Sequence, residues 1–106
     1  MSKDSEMDSS RLVVVAIFRA REGREQALST ALQEMLAPTR AEAGCLNYDL
    51  HHSYDDPRLF FFHETWASAD DHRAHLDTQH VRHLLEITPQ LLLEPIRELK
   101  GRPIEE

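Results

Sequence analysis

The chain has 106 residues, which suits one domain and leaves no room for two. Lys and Arg total 12 against 19 Asp and Glu, a net charge of −7. That balance excludes binding through a nucleic-acid backbone, which needs a basic footprint to displace counterions. Hydrophobic residues make up 41%, enough for a packed core and too many for a disordered chain. Cys45 is the sole cysteine, so no internal disulfide and no cysteine-based zinc site can form. The first eleven residues lack the apolar stretch of a secretory signal, and the apolar run Leu12–Phe18 is too short to cross a bilayer. A cytoplasmic protein with no membrane partner is the expectation.

Leu12–Arg19 (LVVVAIFR) is β-branched with little alternation, which predicts a strand buried on both faces. Arg21–Arg24 turns the chain. From Arg24 the period changes to 3.6, with Ala27, Leu28, Ala31, Leu32, Met35 and Leu36 on one stripe of a helix. Pro38 should kink or loosen its last turns, and Gly44 should close it in the left-handed conformation. Cys45–Ser53 alternates Leu46, Tyr48 and Leu50 with Asn47, Asp49 and His51, a strand with one dry face. Tyr54–Arg58 is turn chemistry, and Leu59–Trp66 (LFFFHETW) completes a hairpin. Ser68 with Asp71 caps a helix through Leu76. Asp77 or Thr78 caps another, which buries Val81, Leu84, Leu85 and Thr88 and stops at Pro89. Pro95–Lys100 reads as an edge strand. The domain therefore spans 12–101, with a disordered tail at 1–11 and a short one at 102–106.

The order strand, helix, strand, strand, helix, strand predicts an α+β fold. It is the ferredoxin-like split βαβ (βαββαβ), an antiparallel four-stranded sheet with its helices on one face. Strand one is apolar on both sides, with Val13, Val15 and Ile17 opposite Leu12, Val14, Ala16 and Phe18. An uncovered sheet face of that kind exceeds what soluble monomers expose. Two copies stacked sheet to sheet, an isologous homodimer, would cover it.

The stretch Thr39 to His83 carries TRAEAGCLNYDL, a DDP turn, FFFHETW and HRAHLDTQH. It resembles the antibiotic biosynthesis monooxygenase family, which includes small quinol monooxygenases. The motifs are Gly44-Cys45-Leu46-x-Tyr48, Glu64-x-Trp66 and the helical His75. The resemblance runs from Leu12 to about Lys100 and implies a dimeric α+β barrel with a pocket between sheet and helices. It often implies oxygen chemistry with no cofactor, neither metal nor flavin. The family also holds haem-degrading enzymes and an isomerase of a phosphorylated autoinducer, so fold alone fixes the reaction poorly.

Cofactor-free oxygen chemistry needs a base to make a substrate anion, an apolar slot for its rings and donors for the developing oxyanion. His75 is the first choice for base or relay, against a solvent-facing alternative set by a stripe of Ala69, His72 and Leu76. Trp66 and Phe62 would be stacking walls for a small aromatic substrate, and Tyr48 and Glu64 polar catalytic or positioning groups. For Glu64 a structural role, accepting hydrogen bonds or meeting an arginine, competes. His63 and His52 are candidate substrate contacts, though strand parity leaves open whether they face the pocket or a dimer interface. His72, His80 and His83 read as surface or rim groups. The pairs His72/His75 and His80/His83 lack the converging ligands of a metal site, so no metal is expected. Strand one has no asparagine, a departure from the haem-degrading relatives. Phosphate recognition would fall to Arg73 and Arg82. The expected function is oxidation of an aromatic quinol or polyketide-like phenol by molecular oxygen; the alternative is a small-molecule-binding or stress-response barrel without turnover.

Overall fold

A computed structural model describes residues 10–104. Positions 1–9 of the expected N-terminal tail and 105–106 of the C-terminal one lie outside the described residues. The elements are β1 (Leu12–Arg19), α1 (Glu25–Gln33), α2 (Leu36–Arg40), β2 (Cys45–His52), β3 (Leu59–Trp66), α3 (Ala69–Leu76), α4 (Gln79–Leu91) and β4 (Arg97–Gly101). The strands form one antiparallel sheet in the order β2-β3-β1-β4, the ferredoxin-like arrangement with the helices on one face.

Register divides the strands into two rows. On the inner face Tyr48, Glu64 and Val14 stand side by side, and so do Leu50, Phe62, Ala16 and Glu98. Val14, Ala16 and Phe18 are buried there against Leu28 and Leu32 of α1 and Val81 and Leu84 of α4. Each of the larger side chains among them contributes roughly 1.5–3 kcal/mol on leaving water. On the outer face Val13, Val15, Ile17 and Phe61 stay half-exposed and Leu99 is exposed.

The elements depart locally from the sequence reading. The long first helix is two helices, broken at Glu34–Met35, which places Pro38 in the first turn of α2 where its missing N–H has no partner to lose. Pro89 does not end α4, which continues to Leu91; the carbonyl of Leu85 that Pro89 cannot serve accepts from Thr88 Oγ1 at 3.3 Å. A bulge between Cys45 and Asn47 turns Leu46 outward to 50% exposure and seats Cys45 against the core. The last strand starts at Arg97, and Leu85 is exposed.

Gly44 has φ +83°, the left-handed residue that closes the segment after α2. A Cβ there would lie 2.3 Å from Asp71 Cγ, so the glycine also lets β2 start against the N-terminus of α3. That terminus is capped by Ser68, whose Oγ accepts from Asp71 N and donates to Asp71 Oδ2. Thr78 supplies the cap of α4, accepting from Val81 N.

Candidate active site between sheet and helices

The short helix α3 buries two side chains, and both are histidines, His72 and His75. Seating a ring that can ionise in an apolar interior disfavours its charged form. Burial accordingly lowers the pKa of His75 and of His72 below the ordinary 6.5; at His75 the hydrogen bond to Glu42 opposes the shift. His75 is therefore a neutral imidazole at neutral pH, 4% exposed.

Around it stand rings from strands β2 and β3 and from the helices. Trp66 lies at 4.7 Å and Tyr48 at 5.6 Å between ring centroids, and Tyr48 stacks on Phe62 at 4.4 Å. Glu64, next to Tyr48 across the strands, accepts from Trp66 Nε1 at 2.9 Å. Burial pushes its carboxyl up to about 7 against the effect of that hydrogen bond, with Glu98 and Glu42 adding to the rise. Glu64 thus holds its proton about half the time near neutrality. Burial also raises the Tyr48 phenol well above its usual value, so Tyr48 keeps its O–H.

His75, His72, Tyr48, Phe62 and Glu64 line a cavity of about 70 Å³ with Ala16, Phe18, Met35, Val81 and Leu84. Leu76, Leu85 and Glu98, all exposed, border it on the solvent side. The lining brings together His75, Glu64, Tyr48 and Phe62 of the residues singled out in the sequence, and adds His72, which that reading placed at the surface. Trp66 does not line it; fully buried behind the lining, it props His75 and holds Glu64. His63 and His52 do not belong to this cavity. His63 lies exposed on the outer face beside Asn47. His52 is exposed at the far end of β2, stacked on Phe60 and bonded to the Pro57 carbonyl. Among the described residues Glu64 meets Trp66 and no arginine as a hydrogen-bond partner. Arg73 and Arg82 pair outward with Asp70 and Asp77 on exposed helix surface, not in the cavity.

Sequence reasoning missed Glu42, and it read His80 as a surface or rim group without its partner. Glu42 Oε2 lies 2.7 Å from His75 Nδ1 and 2.7 Å from His80 Nε2. Among the described residues these three donors are the group compact enough to consider for a metal, all within 4.8 Å of one another. Two atoms bound to one zinc ion at about 2.0–2.1 Å stand roughly 3 Å or more apart, however. Both nitrogens instead close on a single oxygen at hydrogen-bond distance. The arrangement is a hydrogen-bonded chain.

The fold and the cavity define a small ferredoxin-like α+β protein with a buried histidine between sheet and helices. Residues 11–86 match the model of the family described as antibiotic biosynthesis monooxygenase, and the chain belongs to that family. It is similar to Rv0793 of Mycobacterium tuberculosis, whose monooxygenase name is provisional, at 32% identity over 92% of this chain and 96% of that one. The solved structure of Rv0793 superposes with a TM-score of 0.86 at 31% identity, covering 92% of this chain and 98% of the other. PA3566 of Pseudomonas aeruginosa gives 0.87 at 32% identity, with coverage of 92% and 98%. SO0527 of Shewanella oneidensis gives 0.86 at 30%, with 90% and 92%. No helix among the described residues is long and apolar enough to cross a membrane.

Proposed function

We propose that this protein is a cofactor-independent monooxygenase that oxidises a small aromatic quinol or polyketide-like phenol with molecular oxygen. Family membership and the relative's provisional name support a monooxygenase-like role. The observation that carries the finer reading is His75, a neutral imidazole buried on the wall of a cavity that combines apolar side chains with Tyr48, Glu64 and His72. Oxygen is a ground-state triplet, and a closed-shell phenol reacts with it slowly until deprotonation makes it a one-electron donor. His75 takes the hydroxyl proton, and the phenolate passes an electron to oxygen. Recombination of the radical pair forms a carbon–oxygen bond; cleavage of the O–O bond then releases the distal oxygen as water. Both hydrogens of that water come from the substrate, so no external reductant is consumed. Phe62 and Tyr48 supply the face on which the ring stacks, with Glu64 and Tyr48 as donors to the developing oxyanion.

The cavity sets a further requirement. A benzene-sized ring needs about 150 Å³, whereas the space is about 70 Å³. The substrate therefore enters as Leu76 and Leu85 shift at the mouth. This small volume favours the second reading, a binding protein without turnover that takes a smaller ligand. The outer face of Val13, Val15, Ile17, Phe61 and Leu99 supports assembly as a homodimer, sheet against sheet.

Oxygen uptake measured across a panel of hydroquinones and anthrones, with chelator present, tests the reading. Wild-type protein is expected to consume one oxygen per substrate. Absence of uptake across the panel, with tight binding of one member, would establish the binding reading instead.

A further inference from the structure

We infer that Glu42 is a positioning residue for His75, fixing which ring nitrogen is free to take a proton, and that His80 braces the Glu42 carboxylate from the solvent side. The inference rests on the reading of His75 as base and deepens it.

Geometry comes first. Oε2 of Glu42 lies 2.7 Å from His75 Nδ1 and 2.7 Å from His80 Nε2. An ionised carboxylate only accepts, so each ring presents an N–H to it. A neutral imidazole has a single N–H. With that proton on Nδ1, the lone pair of His75 is on Nε2, the nitrogen not engaged by Glu42. Turning the ring over, or moving the proton to Nε2, would set a lone pair against the carboxylate oxygen.

Glu42 is suited to the task by its backbone. It sits between α2 and β2, its N–H donates to the Thr39 carbonyl, and its own carbonyl accepts from Cys45 N. The left-handed Gly44 follows two residues later. Side-chain exposure rises along the chain of bonds, from 5% at His75 through 14% at Glu42 to 23% at His80. His80 thus closes the carboxylate off from water while leaving its own far edge wet. A carboxylate in this position also stabilises the imidazolium that forms when His75 accepts a proton, without itself becoming protonated. The other ionisable groups around the ring are His72 on the same helix, Glu64 and Tyr48 across the cavity, and Glu98 of β4. Among these His75 has its side-chain hydrogen bond with Glu42.

The test uses long-range proton–nitrogen NMR spectra of the ¹⁵N-labelled full-length chain, which report tautomer and pKa without turnover. Wild type should show His75 protonated at Nδ1 and bare at Nε2. Glu42→Gln keeps an acceptor but removes the charge, so it should retain the tautomer and lower the His75 pKa further. Glu42→Ala should populate the Nε2–H tautomer, and His80→Gln should leave the His75 tautomer in place. If Glu42→Ala fails to fold, the Glu42→Gln shift in pKa decides the matter. In oxygen uptake, Glu42→Gln should reduce kcat about 10- to 100-fold with little change in KM and move the acidic limb of the pH profile downward. A His75 ring found bare at Nδ1, or unmoved in pKa by Glu42→Gln, overturns the inference. The wild-type tautomer without oxygen uptake would instead overturn the proposed reaction and leave the positioning role standing.

Discussion

The two faces of the sheet use the same residue types to opposite effect. On the inner face His75 of the covering helix packs against Trp66 and Tyr48, and Glu64 is buried beside them. On the outer face His51 stacks on Phe61 at 5.0 Å, and His63 sits by Asn47, in contact with solvent. Water is the difference. Where helices exclude it, a carboxyl holds its proton near neutrality and an imidazole sheds its own, the protonation states that acid–base chemistry at pH 7 requires. His51 and His63 on the opposite face lack that enclosure.

Substituting matched positions across the sheet can break this comparison. Phe62→Ala on the inner face should cost about 3–5 kcal/mol in chemical denaturation, since it empties a site between Tyr48 and Phe18. A cost under about 1 kcal/mol would mean that the face is not packed as described. Glu64→Gln should alter how stability depends on pH. The folded-state pKa of Glu64 is raised to about 7 from 4.5. Its unfolded form therefore loses the proton first, and stability falls as pH climbs from about 4.5 to 7. The loss is on the order of 3 kcal/mol. Glu64→Gln removes that decline. His75 and His72 act in the reverse sense, their lowered pKa values costing stability as pH falls through 6.5. Urea midpoints at several pH values, wild type against Glu64→Gln, separate the two contributions.

On the outer face, Phe61→Asp should leave the monomer folded and change its association. Light scattering is expected to find 12.3 kDa particles for the variant and twice that mass for wild type if this face joins two copies. Equal masses for the two proteins would show that this face does not join copies. His51→Ala is the smallest change, within about 0.5–1 kcal/mol in the same denaturation assay, because its ring stays in water.

Most of the fold was legible because strands and helices announce themselves by period. Leu12–Arg19 and Leu59–Trp66 have the bounds their residues suggest, and Ser68 and Thr78 mark real helix starts, while Gly44 is left-handed but lies beyond the helix end at Arg40. Leu46 was misplaced because a bulge shifts parity without a local signal. The stripe of α3 was misread for a different reason. The stripe of Ala69, His72 and Leu76 left His75 to one side, whereas Ala69 and Leu76 are exposed and His75 is buried together with His72. The hydrogen-bond partner that makes burial of His75 tolerable is Glu42, 33 residues earlier and beyond any periodicity. The same long range hid Glu42 and its bond to His80, while Trp66 was assigned to the cavity wall although its indole backs onto Glu64.

The central claim, that enclosure makes one histidine of this sheet-and-helix sandwich a working base, is tested most directly by initial oxygen-uptake rates of His75→Ala and His51→Ala on the best quinol substrate of wild type. His75→Ala should lose about 10²–10⁴-fold in rate, the ordinary contribution of a general base, while His51→Ala keeps the wild-type rate. Equal rates for the two variants would contradict it.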